Sequence, residues 1–190
     1  YAAPFILEGG AIHVDGQGTL LTTEECLLNP NRNPTLSRGQ IESLLARYLG
    51  VRKIIWLSRG VFNDETDGHV DNLCCFVRAG EVVLTWCDDP ADPQYDISRA
   101  AYEVLRTARD SRGKQLKITK LLQPGPLYMT AAEAAGIEAA PGSRVRRAGE
   151  RLAGSYVNFY IANRHVVMPL LDPRRDRQAK ALIASLFPGR

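Results

Sequence analysis

The densest group of ionisable side chains lies at residues 64–72, just before an apolar run predicted to be a strand at Leu73–Val77. If this segment is extended, side-chain alternation places His69 and Asp71 on one face, where both could reach one substrate group. A half-buried imidazole beside carboxylates has a raised pKa, which suits general acid or base catalysis near neutral pH. A surface loop leading into a strand explains the same residues, and the pattern alone leaves both interpretations open.

A second acidic position, Glu8, lies between the apolar run Phe5–Leu7 and a pair of glycines. Glycine lets the backbone approach a ligand closely, so this turn could line a substrate site. The tripeptide His-Val-Asp follows, but it flanks a predicted hairpin turn in which Asp-Gly is ordinary turn chemistry. The pattern therefore favours structural roles for His13 and Asp15.

Histidine and carboxylate side chains also bind divalent metals, so Glu8 and the two His-Val-Asp tripeptides are an alternative ligand set. No His-x-x-x-His motif or cysteine pair supports a preformed metal site. The sequence therefore predicts neither a metal nor a cofactor, and metal analysis of the protein would test the alternative.

None of the four cysteines is a good candidate nucleophile. Cys26 follows two glutamates, whose charges should raise the pKa of its thiol. Cys74, Cys75 and Cys87 lie in apolar runs typical of core strands, where the neighbours Cys74 and Cys75 should point to opposite faces. No Cys-x-x-Cys pair is present, and we expect reduced thiols in a cytoplasmic protein.

The elements around these residues repeat the order strand, strand, helix, strand. The first copy comprises strands at Ala11–Val14 and Thr19–Thr23, a helix between Ser37 as N-cap and Gly50, and a strand at Lys53–Leu57. The second comprises strands at Leu73–Val77 and Val82–Trp86, a helix from about Asp96 to Arg109, and a strand at Leu116–Leu122. Helical spacing predicts inward-facing apolar side chains that include Leu49 and Val104.

A third copy is predicted to pair Tyr156–Ala162 with His165–Pro169 and to continue with a helix from about Arg174 to Leu186. Residues 123–154 are predicted to be an insertion of loops with a short helix near Thr130–Ala135. Repeats that each bury one face against a neighbour suggest a propeller or related circular array. A plain mixed α/β domain explains the periodicity equally well.

Composition limits the classes of partner. The 190 residues are 45% hydrophobic and 24% charged with a formal net charge of +3, which is typical of one globular domain. The basic residues form no stripe with interleaved aromatics, so we expect no nucleic acid as a partner. No apolar run is long enough to cross a bilayer, so no membrane is expected either.

Four stretches of the sequence resemble agmatine deiminases, which belong with bacterial peptidylarginine deiminases in the guanidino-group-modifying, or pentein, superfamily. The stretches are Glu8–Gly16, Thr22–Pro34, Thr66–Asn72 and Ser155–Asn163. The most specific are Cys-Leu-Leu-Asn-Pro-Asn-Arg-Asn-Pro, which begins at Cys26, and Asp-Gly-His-Val-Asp, which begins at Asp67. The resemblance runs in order along essentially the whole chain.

This resemblance implies a five-bladed α/β propeller of ββαβ modules around a central substrate pocket. The chain would hold about two and a half modules, roughly residues 5–57, 69–122 and 155–190, with 123–154 as an insertion. It would form one domain, a central fragment of the propeller. We further expect Asn158, at the start of the third module's first strand, to line the pocket or to bond to backbone as a strand-edge residue.

The resemblance also implies a mechanism. A cysteine attacks the guanidinium carbon, ammonia leaves, and water hydrolyses the covalent thiouronium. His69 would be the general acid and base, Glu8 would orient it, and Asp71 would bind guanidinium nitrogens, as a carboxylate binds a planar cation. The nucleophilic cysteine and a second guanidinium-binding aspartate would lie outside this chain, and the chain alone is predicted to be inactive.

The substrate expected from the resemblance is agmatine, which would be converted to N-carbamoylputrescine and ammonia for polyamine supply. A peptidylarginine deiminase is the alternative within the superfamily, and a non-catalytic guanidinium-binding module is the alternative from another class. The sequence leaves open whether the protein forms a homo-oligomer. We also predict that Glu8 and His69, although far apart in the chain, lie within hydrogen-bonding reach of one another.

Overall fold

A computed structural model describes residues 3–138 and 146–190, which form an α/β fold. The strands in this part of the chain are β1 Ile12–Val14, β2 Thr19–Thr23, β3 Lys53–Leu57, β4 Cys74–Arg78, β5 Glu81–Trp86, β6 Lys117–Leu122, β7 Leu127–Tyr128, β8 Arg151–Leu152, β9 Tyr160–Ile161 and β10 Val166–Val167. The helices are α1 Glu24–Leu27, α2 Arg38–Leu49, α3 Val70–Leu73, α4 Gln94–Thr107, α5 Ala131–Ala135 and α6 Asp176–Leu186, preceded by a 3-10 turn at Gly9–Ala11.

The first unit is a three-stranded sheet in the order β1-β2-β3, with α2 between its second and third strands. The pair β1-β2 is antiparallel and the pair β2-β3 is parallel. Ser37 and Gln40 form a capping box at the start of α2, and Gly50 ends it in the left-handed conformation with φ 66°. The predicted helix and the strands predicted at Thr19–Thr23 and Lys53–Leu57 are confirmed, but the first strand begins one residue later than predicted, because Ala11 closes the 3-10 turn.

The second unit has the same topology, with the sheet order β4-β5-β6 and α4 as the crossover helix. Its strands pair antiparallel and then parallel, and the parallel register runs from Glu81 beside Lys117 to Trp86 beside Leu122. The predicted ββαβ order is confirmed. The predicted strand began one residue too early, because Leu73 closes the one-turn helix α3.

The core explains how neighbouring units are joined. One cluster contains Leu57 of β3 together with Leu84 of β5 and Leu105 of α4, so α4 packs between the two sheets. A second contains Val83 of β5 with Ile183 of α6. Cys74 lies in the first cluster and Cys75 in the second, which confirms that these neighbours point to opposite faces. Two apolar positions predicted to face inward, Leu49 and Val104, are exposed.

The third copy departs most from the sequence prediction. Of the predicted strands at 156–162 and 165–169, only β9 and β10 pair, over two residues each. Before β9, side-chain hydrogen bonds stand in place of the predicted backbone pairing between strands. The Tyr156 hydroxyl donates to Asp176 Oδ1 at 2.6 Å, and Val157 N donates to Ser155 Oγ at 3.0 Å. The helix after this hairpin is confirmed and begins at Asp176.

The segment between the second and third copies contains the short helix that was predicted. Helix α5 begins at a capping box formed by Thr130 and Glu133. The antiparallel pair β7-β8 was not predicted, and residues 139–145 of the predicted insertion lie outside the described residues. No helix among the described residues has the length and apolar character needed to cross a bilayer.

Candidate active site

The turn that carries Glu8 packs closely against the segment that carries His69 and Asp71. Residues Gly9–Ala11 form a 3-10 turn in which Ala11 N donates to Glu8 O at 3.1 Å. A Cβ on Gly10 would collide with His69 Nδ1 and would lie 2.7 Å from Asp71 Oδ2. Glycine at position 10 therefore brings the backbone of this turn against the His69–Asp71 segment.

The loop that carries His69 is organised by Asp64. Its Oδ1 accepts hydrogen bonds from the backbone N and the hydroxyl of Thr66, and its Oδ2 accepts from His69 N at 3.0 Å and Asn72 Nδ2 at 3.2 Å. Asp67 has a φ of 54°, a left-handed conformation that non-glycine residues rarely adopt. These bonds fix the backbone immediately before and after the imidazole.

The extended conformation expected for His69 and Asp71 is wrong. His69 is the residue before α3, and Asp71 lies in the first turn of that helix. A single helical turn is too short for the 3.6-residue periodicity of a helix to be visible in the sequence. The sequence therefore did not distinguish this turn from a strand. The two side chains nevertheless both reach Gly10, so they lie on the same side of the segment.

Glu8 and His69 meet across 61 positions of sequence, with Glu8 Oε2 3.1 Å from His69 Nε2. The predicted approach of these two side chains is confirmed. The imidazole is 13% exposed and the Glu8 side chain 41%, so the pair lies at the edge of the protein interior.

The same Glu8 oxygen also accepts a hydrogen bond from Arg32 Nε at 2.5 Å. This bond to the guanidinium, and then the bond to His69, hold the pKa of Glu8 below its usual range against the opposing effect of burial. Glu8 therefore remains a carboxylate at neutral pH. An ionised acceptor beside Nε2 can hold the imidazole in one orientation and stabilise its charged form.

Asp71 has a different environment. Burial raises the pKa of its carboxyl group, and its buried Oδ1 has no hydrogen-bond partner. Asp71 also lines a cavity of about 510 Å³, together with Gly9, Cys75 and Asn158 among other residues. A cationic group that entered this cavity would remove the electrostatic penalty of keeping Asp71 ionised.

Asn158 lines the same cavity and is exposed. Its Nδ2 donates to Asn72 Oδ1 at 2.9 Å, so it is linked through Asn72 to Asp64 and the His69 loop. The expected position at the start of a strand is wrong, because β9 begins two residues later. Of the two roles considered for Asn158, the structure favours the pocket, since its hydrogen bond is to a side chain and not to backbone.

The first His-Val-Asp tripeptide makes hydrogen bonds that fit the predicted structural roles, although His13 also lines the cavity that Asp71 lines. His13 Nδ1 accepts a hydrogen bond from Phe76 N at 3.1 Å, and burial lowers the pKa of His13 to about 4. Asp15 Oδ1 accepts from Gln17 N and Thr19 N within the β1-β2 turn. These bonds join β1 to β4 and close the hairpin.

All four cysteines are free and buried, and the pKa of each thiol is raised by burial. The predicted direction for Cys26 is confirmed with a pKa of about 12, but burial is the main cause and the neighbouring glutamates are not. A protonated, buried thiol is a poor nucleophile. No cysteine of this chain therefore has the environment of an attacking thiolate.

Ligand atoms of Glu8, Cys26 and His69 lie within 4.8 Å of one another, which bears on the metal alternative. The guanidinium of Arg32 already neutralises the Glu8 carboxylate at 2.5 Å. A divalent cation would be placed beside a fixed positive charge and would need the protonated thiol of Cys26 to ionise. The residues present do not fit a metal site well.

Sequence reasoning missed Arg32. Its side chain is 9% exposed and binds Glu8, Asp67 and the carbonyl of Thr66. The signal that could have identified it was its place in the motif that starts at Cys26, where the preceding Asn31 also bonds to Asp67 at 2.7 Å.

Sequence and structure comparisons match this chain along essentially its whole length. A sequence model of the Porphyromonas-type peptidyl-arginine deiminase family matches residues 1–190. A curated relative from Pectobacterium atrosepticum is 62% identical over 189 residues, which are 99% of this chain and 51% of the relative. The agmatine deiminase of Pseudomonas fluorescens is 57% identical over 184 residues, 97% of this chain and 50% of that protein.

Among solved structures, the agmatine deiminase of Enterococcus faecalis matches with a TM-score of 0.91 and 42% identity, covering 98% of this chain and 51% of that one. The chain belongs to the Porphyromonas-type peptidyl-arginine deiminase family and has the α/β fold of agmatine deiminases. It spans about half the length of the curated relatives it matches.

Proposed function

We propose that the full-length protein carrying this chain is a hydrolase that converts agmatine and water to N-carbamoylputrescine and ammonia. The observation that carries this proposal is the contact of 3.1 Å between Glu8 and His69 beside the cavity lined by Asp71. An acid–base pair next to an anionic, partly desolvated pocket suits a substrate that is a planar cation and whose conversion needs proton transfers.

The reaction proceeds through a covalent intermediate. A thiolate from a cysteine outside this chain adds to the guanidinium carbon, and the C–N bond to ammonia breaks to leave a thiouronium. Water then adds to the same carbon, and the thiolate leaves to give N-carbamoylputrescine. The raised thiol pKa values within this chain support assigning the nucleophile elsewhere.

His69 gives a proton to the departing ammonia and takes one from the attacking water. Glu8 remains ionised beside Nε2 and stabilises the imidazolium that gives up its proton in the first step and forms again in the second. Asp71 binds guanidinium N–H groups, and Asn158 lines the outer part of the pocket. Asn72 links Asn158 to the loop that carries His69.

Agmatine is preferred over arginine-containing substrates because a 57% identical relative is an agmatine deiminase. The family description favours a peptidylarginine deiminase as the second candidate. A non-catalytic guanidinium-binding module would keep Asp71 but would not need the Glu8–His69 contact. Peptidyl-arginine and agmatine assayed side by side distinguish the first two, and turnover excludes the third.

The fold proposal follows the same family. Two helices pack against an adjacent unit, α4 against β3 and α6 against β5. This supports a five-module propeller of which residues 5–57, 69–122 and 155–190 are modules, with 123–154 inserted. The free thiols are in keeping with a cytoplasmic site of polyamine synthesis, and location and oligomeric state remain predictions.

The test is an assay of the full-length protein with agmatine, in which ammonia and N-carbamoylputrescine are both quantified. The exposed His165 supplies a matched control for His69. We expect His69→Ala to lower turnover by about 10²–10⁴-fold and His165→Ala to leave it intact. Residues 1–190 alone should release neither product, and turnover by this chain that one of its own cysteine substitutions abolishes would refute the external nucleophile.

A further inference from the structure

The side chain of Arg32 joins two segments that are remote in sequence. Its Nε donates to Glu8 Oε2 at 2.5 Å, its NH1 donates to Asp67 Oδ2 at 3.0 Å, and its NH2 donates to Thr66 O at 2.7 Å. NH1 also contacts Asn31 Oδ1 at 3.1 Å. One guanidinium therefore binds both the Glu8 turn and the loop that ends in His69.

These contacts leave Arg32 in no position to bind substrate. It is 9% exposed, and its ring of acceptors uses most of its five donors. A buried arginine with such a set of partners is rigid, because each bond removes rotamer freedom from the side chain. Arg32 acts on the site through Glu8, which contacts His69.

The arrangement also decides which oxygen of Glu8 is available. Arg32, His69 and Cys26 all approach Oε2, at 2.5, 3.1 and 4.0 Å respectively. Within residues 3–138 and 146–190, Oε1 accepts no hydrogen bond, and the side chain is 41% exposed. The carboxylate is held by one oxygen while the other stays open.

We propose that Arg32 is a positioning residue, which fixes Glu8 against His69 and leaves the second Glu8 oxygen available to a guanidinium N–H or to the hydrolytic water. This inference rests on the proposed deiminase function. Without Arg32, Glu8 loses its shortest bond, the Thr66 carbonyl loses one contact and the Asp67 side chain loses another. Both sides of the Glu8–His69 contact then become free to move.

The charge environment of Glu8 gives a second consequence. The titratable and charged groups that face its carboxylate are Arg32, His69 and Cys26, while Asp67 lies on the far side of Arg32. The bond from Arg32 is the largest cause of the lowered pKa of Glu8. Removing the guanidinium should move the protonation of Glu8 to higher pH.

The experiment compares Arg32→Gln and Arg32→Lys with Arg38→Gln in the full-length protein. Arg38 is a matched control because it also pairs with a glutamate, Glu24 at 2.8 Å, but on the exposed surface of α2. Misplacing a catalytic group by about 1 Å costs on the order of 100-fold, so we expect Arg32→Gln to lower kcat by about that factor with a smaller change in KM.

Three further readouts separate positioning from general stability. The acidic limb of the kcat/KM profile should move to higher pH in Arg32→Gln, and Arg32→Lys should recover part of both kcat and the profile. Arg38→Gln should match the wild type in each measurement. A kcat loss in Arg32→Gln that follows only the folded fraction, with an unchanged pH profile, would overturn the proposal.

A crystal structure of Arg32→Gln decides the question without any assay. We expect Glu8 to leave hydrogen-bonding distance of His69 Nε2. A Glu8 side chain that keeps its wild-type position in the variant would show that Arg32 does not position it. If the wild type turns over no guanidine at all, the proposed function fails while this structural readout still stands.

Discussion

Two copies of the tripeptide His-Val-Asp, at positions 13–15 and 69–71, have different surroundings in this fold. The first imidazole accepts a backbone N–H and its burial lowers the pKa of His13 to about 4. The second contacts Glu8 at 3.1 Å and is 13% exposed. The same three residues therefore serve as a strand connector in one place and as the centre of a candidate site in the other.

The aspartates differ in the same way. Each has one buried oxygen without a partner, but Asp15 uses its other oxygen to accept two backbone N–H groups. Asp71 lines the cavity, and burial raises its pKa. What separates the copies is the secondary structure, a hairpin in one case and the start of a one-turn helix in the other. The same tripeptide therefore has different chemical properties in the two places because the backbone conformation gives its side chains different neighbours.

The comparison is tested most strongly by replacing the two histidines in the full-length protein. General acid–base groups contribute about 10²–10⁴-fold, so His69→Ala should lower kcat by that range with a small change in stability. His13→Ala leaves the N–H of Phe76 without an acceptor and should lower the free energy of unfolding by about 1–3 kcal/mol. Urea unfolding and steady-state kinetics measure both, and the reverse pattern would contradict the assignment.

Substitutions of the two aspartates should have opposite effects, one mainly on kcat/KM and the other mainly on the free energy of unfolding. Burial raises the pKa of the Asp71 carboxyl group in the folded protein. The folded state is therefore destabilised as pH rises through that pKa and the buried group ionises, and Asp71→Asn removes this cost. This variant should therefore be at least as stable as the wild type at pH 7, while kcat/KM falls on the order of 100-fold because a charged acceptor is lost. Asp15→Ala should lose about 1 kcal/mol of unfolding free energy with little change in kcat/KM. An Asp71→Asn protein that is less stable than the wild type but equally active would contradict the distinction between a substrate-binding Asp71 and a structural Asp15.

The two adjacent glycines of the Glu8 turn, Gly9 and Gly10, test whether close packing against the His69–Asp71 segment is required. A Cβ at position 10 meets His69 Nδ1 and Asp71 Oδ2, whereas a Cβ at position 9 meets nothing within 4 Å. Overpacking of this kind costs about 1–3 kcal/mol, so Gly10→Ala should lower both stability and kcat. Gly9→Ala is the control for stability and should leave the free energy of unfolding unchanged, whereas its kcat is not compared because Gly9 lines the cavity. Equal effects of the two substitutions would mean that close approach at Gly10 is not required.

The contrast between regions also shows what local sequence can predict. Elements with their own start and stop signals were predicted nearly residue by residue, as for the helix between Ser37 and Gly50. The two full ββαβ units follow from alternation and helical spacing alone. In the third copy, Tyr156 and Val157 look like strand residues, but side-chain bonds to Asp176 and Ser155 occupy this segment instead.

Within the candidate site, the meeting of Glu8 and His69 was predicted correctly, but the local backbone that presents the side chains was not. Glu8, His69 and Asp71 were recognised from their types and from the family resemblance. The helical turn that presents Asp71 was not, because its conformation depends on Asp64 and on contacts from remote segments. Arg32 was missed for the same reason, since its partners lie 24 and 35 positions away.

The burial of His13 should also make the stability of the protein depend on pH. Its folded pKa of about 4 lies below the unfolded value near 6.5, so the unfolded state binds the proton more readily in that interval. Stability from a neutral His13 is therefore fully present above about pH 6.5 and is lost as pH falls toward 4. Each pKa unit corresponds to about 1.4 kcal/mol, and some exposure of the ring reduces the total to roughly 1–3 kcal/mol.

His13→Gln isolates this contribution, because glutamine cannot take up the proton. The free energy of unfolding of the wild type should fall more steeply than that of His13→Gln between pH 6.5 and 4.5, as measured by urea titration at several pH values. His165→Gln, at an exposed position, should run parallel to the wild type. Parallel curves for the wild type and His13→Gln would mean that the first imidazole is not held neutral by burial. The environmental difference between the two tripeptides would then be smaller than their contacts indicate.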